Sequence, residues 1–152
     1  MIRQFRPEDA SSGCELIQAC LADDPSYSTT LREKFRSSET PQSIIDRARL
    51  FYIAVYELEG RILGLAGLEM NEIRLLYVAP EFQKRGIGRQ LFEHLRDMIP
   101  GTLFADIFVY SSEQAAGFYR ACGFIDKGPF TLHFDNEPLR TIFMAYPLCR
   151  GS

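Results

Sequence analysis

The run from Glu72 to Tyr110 constrains this chain more than any other. "EIRLLYVA" is a β-rich stretch stopped by Pro80, and the polar, basic, glycine-bearing "EFQKRGIGRQ" follows it. Ile87, Leu91, Phe92, Leu95, Met98 and Ile99 then recur at helical spacing and make one apolar face, until Pro100-Gly101 ends the helix. The next apolar stretch, Leu103 to Tyr110, reads as a buried strand. Strand, helix, strand in that order demands a crossover, which lays the second strand parallel to the first.

The remaining elements surround this unit. Ile2 to Arg6 reads as a short strand, and Pro7 and Asp9 open a helix through Leu16, Ile17, Cys20 and Leu21. A polar, turn-rich segment follows, with one short helix over Leu31 to Phe35, before Thr40-Pro41 caps a helix through Ile44, Ile45 and Ala48. Phe51 to Glu57 and Arg61 to Leu68 flank Glu59-Gly60 as a hairpin. Ser111 and Gln114 match a capping box for a helix through Ala115, Phe118, Tyr119 and Cys122, stopped by Gly123. Phe124 to Phe134 and Arg140 to Tyr146 are the last β-rich runs. The pattern predicts one α/β domain over residues 1–152, a mixed, mostly antiparallel sheet with helices on its faces.

Composition narrows the partners. A net charge of −3 argues against nucleic acid, which favours a basic face. Cys14, Cys20, Cys122 and Cys149 show no metal-binding spacing and read as reduced thiols, and His94 and His133 are too few for a histidine-rich metal site. No run approaches the roughly 20 apolar residues of a membrane span, and the charged start "MIRQFRPEDA" is unlike a signal peptide, so a cytoplasmic protein is expected.

The segment between Val78 and the following helix points its free N–H groups and the helix dipole at one place, which suits a phosphate. A nucleotide P-loop is absent, and Leu91 replaces the third small residue of the dinucleotide fingerprint. Glycine costs about 1 kcal/mol in a helix relative to alanine, so Gly86 and Gly88 at a helix start call for close backbone approach, or for a mere turn.

"LLYVAPEFQKRGIGRQLFEHL" resembles the acetyl-CoA signature of the GNAT superfamily of N-acetyltransferases, with Gln83, Gly86 and Gly88 after Tyr77, Val78 and Pro80. "SSEQAAGFYRACGF" is similar to a second GNAT block through Ala115, Phe118, Tyr119, Gly123 and Phe124. The resemblance implies acetyl-CoA as cosubstrate, no metal, and a parallel strand pair that splays at the cosubstrate site. It implies that backbone groups from Arg85 through Ile87 to Arg89 cradle the pyrophosphate, with Lys84, Arg85 and Arg89 as cations. Leu76, Tyr77 and Val78 would offer backbone groups to the pantetheine arm, with the Val78 N–H polarising the thioester carbonyl. Ser112 stands where the family often has Asn, and Phe118 lies beside Tyr119.

Tyr119 matches the family's general acid; on spacing alone it is also a core residue with Ala115 and Cys122. Glu72 matches the base of the histone-acetylating branch, with a structural Glu72–Arg74 pair, Glu69, or a water chain as competing readings. Strict alternation would put Glu72, Arg74, Leu76 and Val78 on one face. The amine acceptor is expected between Ala22–Thr40 and a Phe130–Arg140 loop, whose acids Asp23, Asp24, Asp135 and Glu137 suit a cation or are simply solvated. A non-catalytic acyl-CoA-binding module is the rival reading, and the aromatic C-terminal strands are compatible with a homodimer.

Overall fold

In this computed structural model, which describes residues 1–148, seven strands form one sheet. They are β1 (Ile2–Gln4), β2 (Tyr52–Leu58), β3 (Arg61–Glu69), β4 (Glu72–Val78), β5 (Asp106–Ser112), β6 (Ile125–Phe134) and β7 (Glu137–Pro147). The order is β1-β2-β3-β4-β5-β7-β6, antiparallel at every step except the parallel pair of β4 and β5. Glu59 and Gly60 at the first hairpin have φ of 51° and 78°, as a tight two-residue turn requires.

Among the described residues five α-helices cover both faces: α1 (Ala10–Asp23), α2 (Thr29–Ser38), α3 (Pro41–Ala48), α4 (Ile87–Arg96) and α5 (Ala116–Cys122). One core joins α1 and α3 to β2, β3 and β4 through Ile17, Leu21, Ile44, Val55, Leu65 and Leu75. The other joins α4 and α5 to the opposite face through Leu91, Phe92, Leu95, Ile107, Tyr119 and Met144. Thr40 and Ser43 cap α3 reciprocally, at 3.1 and 3.0 Å.

Four expectations are corrected. β5 begins at Asp106 rather than Leu103; a turn in which Leu103 and Phe104 donate to the Pro100 carbonyl leaves Leu103 75% exposed. Ser111 caps nothing, because it is buried in β5; Ser112 accepts from the Ala115 N–H at 3.2 Å instead. Phe130–Arg140 is not a loop but the tip of a β6–β7 hairpin, with Asp135 and Asn136 at φ of 49° and 73°. Finally, the β3–β4 register jumps from Leu68↔Ile73 to Gly67↔Leu75, leaving Arg74 as an extra residue. That bulge breaks alternation, so Glu72 faces opposite to Leu76 and Val78.

Candidate active site

β4 and β5 share a single register pair, Glu72 opposite Phe108, closed by the Phe108 N–H donating to Asn71 O at 3.0 Å. Beyond it the strands separate, and a cleft of about 1080 Å³ opens between them. On its other edge β4 stays paired with β3, and there the Ala79 N–H donates to Leu63 O at 2.9 Å. Hydrogen-bonded and non-bonded pairs alternate in an antiparallel ladder. Val78 and Leu76 therefore turn their peptide groups away from β3, toward the cleft. The Val78 carbonyl there accepts from Gln83 Nε2 at 3.0 Å and from the Cys20 thiol at 3.2 Å.

The segment between β4 and α4 forms one end of the cleft. Gly86 caps α4 at φ 87°, a left-handed conformation that opens the N–H groups of the first turn. Gly88 has a different reason to be glycine: a Cβ there would lie 2.9 Å from the Phe118 ring of α5. That approach is to a neighbouring helix, and Gly88 also lines the cleft. Lys84 lines the cleft with φ 64°. Arg85 instead stacks over the Phe82 ring, 5.1 Å from its centroid, with Arg61 also over that ring at 5.3 Å. Arg89 donates to Ala121 O at 2.7 Å, in the last turn of α5 where a cation suits the helix dipole. The side chain of Ile87 is buried in one core, and that of Tyr77 packs against the other while Tyr77 also lines the cleft.

Tyr119 lines the cleft from α5, only 5% exposed, packed edge-on against Phe118 and Phe124 at 5.1 Å. Burial pushes its phenol well above the ordinary tyrosine range. Ser112 and Phe118 line the same cleft, the former with its oxygen engaged in the turn before α5. Glu72 lies outside it, in a shallow depression with Phe51, Glu69 and Phe108. Burial raises its carboxyl from the ordinary value, against the opposing pull of Arg74, 4.0 Å away. Glu69 is paired to Arg74 at 2.6 Å. Paired residues on neighbouring strands share a face, so Glu72 and Phe108 project on the side away from Tyr119.

The segment after α1, expected from the sequence on the acceptor side through Asp23 and Asp24, does reach the cleft; sequence reasoning did not single out Cys20 or Tyr27 as lining it. Cys20, Asp23, Asp24 and Tyr27 all line it. The Ser26 N–H donates to Asp24 Oδ1 at 2.8 Å, and Ser26 Oγ accepts from the Gln114 N–H at 3.3 Å. The chain after α1 thus bridges from β4, through Cys20, to the β5–α5 turn. Burial and nearby Asp24 push the Tyr27 phenol up to about 12. "ADDPSYS" signals a turn, but nothing local tells which strands it crosses. Among the described residues no group of His, Cys, Asp and Glu is placed to hold a metal ion, and no helix is long and apolar enough to cross a membrane. Cys14, Cys20 and Cys122 are free thiols; Cys149 lies outside the described residues.

A splayed parallel pair beside a glycine-bearing helix start has relatives. The acetyltransferase (GNAT) domain model matches residues 13–135. The chain belongs to the GNAT acetyltransferase family. This GNAT chain is 31% identical over 104 residues to the peptidyl-lysine N-acetyltransferase YiaC of Escherichia coli K12, covering 64% of this chain and 69% of that protein. Among solved structures, it resembles a GCN5-related N-acetyltransferase from Rhodopseudomonas palustris with a TM-score of 0.87 and 26% identity, over 97% of this chain and 95% of the other. The PaiA N-acetyltransferase of Thermoplasma acidophilum, solved in complex with coenzyme A, shares the fold at a TM-score of 0.76 and 16% identity, over 97% and 98% of the two chains. The GNAT fold expected from the two sequence blocks, with its parallel pair and helices on both faces, is the fold observed.

Proposed function

We propose that this GNAT chain transfers an acetyl group from acetyl-CoA directly to a primary amine, across the gap between β4 and β5. The observation that carries the reading is the single β4–β5 pair, which leaves the Leu76 peptide groups and the Val78 N–H open toward a cleft that Tyr119 also lines. The first-turn N–H groups of α4 and Lys84 receive the pyrophosphate, and the open β4 edge with Ser112 and Phe118 holds the pantetheine arm. Acetyl-CoA supplies an activated acyl group as a thioester.

The residues then divide the work. The Val78 N–H donates to the carbonyl oxygen as negative charge develops on it. As the amine nitrogen bonds to the acyl carbon and the carbon–sulfur bond breaks, Tyr119 gives its proton to the departing sulfur. A phenol raised by burial is fully protonated at neutral pH, the form an acid needs. Glu72, on the other face, takes the amine proton through solvent, and its raised carboxyl is a better base than an ordinary glutamate. Asp23 and Asp24 at the cleft favour an acceptor that arrives as a cation.

The cytoplasm suits the free thiols. Thiol release from acetyl-CoA on adding a panel of primary amines tests the reading. Tight acetyl-CoA binding with no release for any amine would instead mean a non-catalytic binding module.

A further inference from the structure

Phe108, Tyr110, Phe130 and Phe143 belong to neither hydrophobic core, yet they pack on one another. Ring centroids lie 6.0 Å apart for Phe108 and Tyr110, 5.8 Å for Phe108 and Phe143, 5.2 Å for Tyr110 and Phe143, and 5.0 Å for Tyr110 and Phe130. Alternation sets their face: Ile107, Val109, Ile142 and Met144 point into the α4–α5 core, so Phe108, Tyr110 and Phe143 point away from it. On that face α1 and α3 cover β2, β3 and β4. The segment around α2 reaches the sheet again at the β6–β7 tip, where Phe35 meets Phe134 at 4.9 Å and Lys34 pairs with Asp135 at 2.8 Å. The rings between are half-buried, and Phe130 is 47% exposed.

A contiguous aromatic strip left on a surface marks an interaction. This one is continuous with the acceptor side of the cleft: Tyr110 lines the cleft, and Phe108 stands opposite Glu72 at its closed end. Its shape selects among amines. Small ligands sit in concavities that bury 70–90% of their surface, which an open strip cannot do. The ring-to-ring steps of 6.0 and 5.0 Å from Phe108 through Tyr110 to Phe130 match about three residues of extended chain at roughly 3.3 Å each. Charge agrees. Two cations beside the strip are engaged, Arg74 by Glu69 and Lys34 by Asp135, whereas Asp23 and Asp24 line the cleft and, among the described residues, have no ion-pair partner.

We infer that the aromatic strip is the docking surface of a polypeptide acceptor, whose apolar side chains rest on the rings while a neighbouring lysine amine enters the cleft. The inference rests on the acetyl-transfer reading of the cleft. Two peptides of equal length, acetyl-Gly-Phe-Lys-Phe-Gly-amide and acetyl-Gly-Ser-Lys-Ser-Gly-amide, test it by thiol release from acetyl-CoA with the full chain. The phenylalanine peptide should have a kcat/KM about tenfold higher, the order that a favourable aromatic contact supplies. Phe130→Ser, on an exposed edge strand, should collapse that preference to about twofold with an unchanged melting temperature, and Phe130→Tyr should keep it. Equal rates for the two peptides, or a preference that survives Phe130→Ser, overturns the proposal. Turnover of butylamine or spermidine with neither peptide acetylated also overturns it and leaves acetyl transfer standing; no thiol release with any amine brings down both. A concentration-dependent dimer in sedimentation, abolished by Phe130→Ser, would show a second copy on the strip and likewise overturn the proposal.

Discussion

The two edges of β4 are made from the same seven residues, Glu72 to Val78, and behave oppositely. Toward β3 the strand is paired along its length, with one bulge at Arg74; toward β5 it is paired once. Gly88 of α4 abuts Phe118 of α5, so two helices are wedged against one face just where the strands part. Each backbone bond not made to β5 forgoes roughly 1 kcal/mol of net stability, and leaves a donor or acceptor for a ligand to satisfy. The structured edge makes the scaffold and the open edge makes the site. The bulge adds a second division, because it puts Glu72 on the face opposite to Tyr119 and so separates the base and the acid of the proposed reaction.

The largest effect should come from the acid. Tyr119→Phe should lower kcat by about 10²–10⁴-fold while barely changing acetyl-CoA affinity by calorimetry. Because burial holds the phenol above its ordinary range, Tyr119 should contribute no alkaline limb to the rate below about pH 10. Wild-type turnover by the phenylalanine variant would reduce Tyr119 to a packing residue.

Glu72 probes the other face. Glu72→Gln should cost about 10–100-fold near neutral pH and recover as pH rises and the amine sheds its own proton. The sign for stability is separate. A carboxyl raised by burial favours folding when protonated, so the ionised form costs stability as pH rises through its folded value. Glu72→Gln should therefore melt no lower than wild type at pH 7. A loss uniform in pH together with a lower melting temperature would make Glu72 structural.

Widening the wedge should follow in size. Gly88→Val would press on the Phe118 ring, a strain of about 1–3 kcal/mol, and should weaken CoA binding roughly tenfold as α4 and α5 shift. Unchanged affinity in a folded variant would detach the helix contact from the shape of the cleft. Arg89→Ala should be smallest. Arg89 lines the cleft, so removing its charge should cost under about 1 kcal/mol, a few-fold loss in CoA affinity that shrinks in high salt.

Much of this molecule is local in origin. Turn residues at Glu59-Gly60, a cap at Thr40, a left-handed stop at Gly123 and the helical period of Ile87 to Leu95 are decided by neighbours in the chain, and each reads from sequence. So does the parallel neighbour of β4, since a strand, a helix and a strand have one favoured connection. Other features depend on residues far apart. That Gly88 yields to Phe118, that Arg85 lies on Phe82, and that Cys20 holds the Val78 carbonyl are facts of packing between segments. The bulge at Arg74 is one extra residue in a continuous β-rich run, invisible until β3 supplies the register, and it alone decides which face Glu72 serves. Phe108, Tyr110, Phe130 and Phe143 look like core residues in any reading by composition. Only the position of the helices, which cover β2 to β4 and meet β6 and β7 again at their tip, leaves these rings partly exposed on that side.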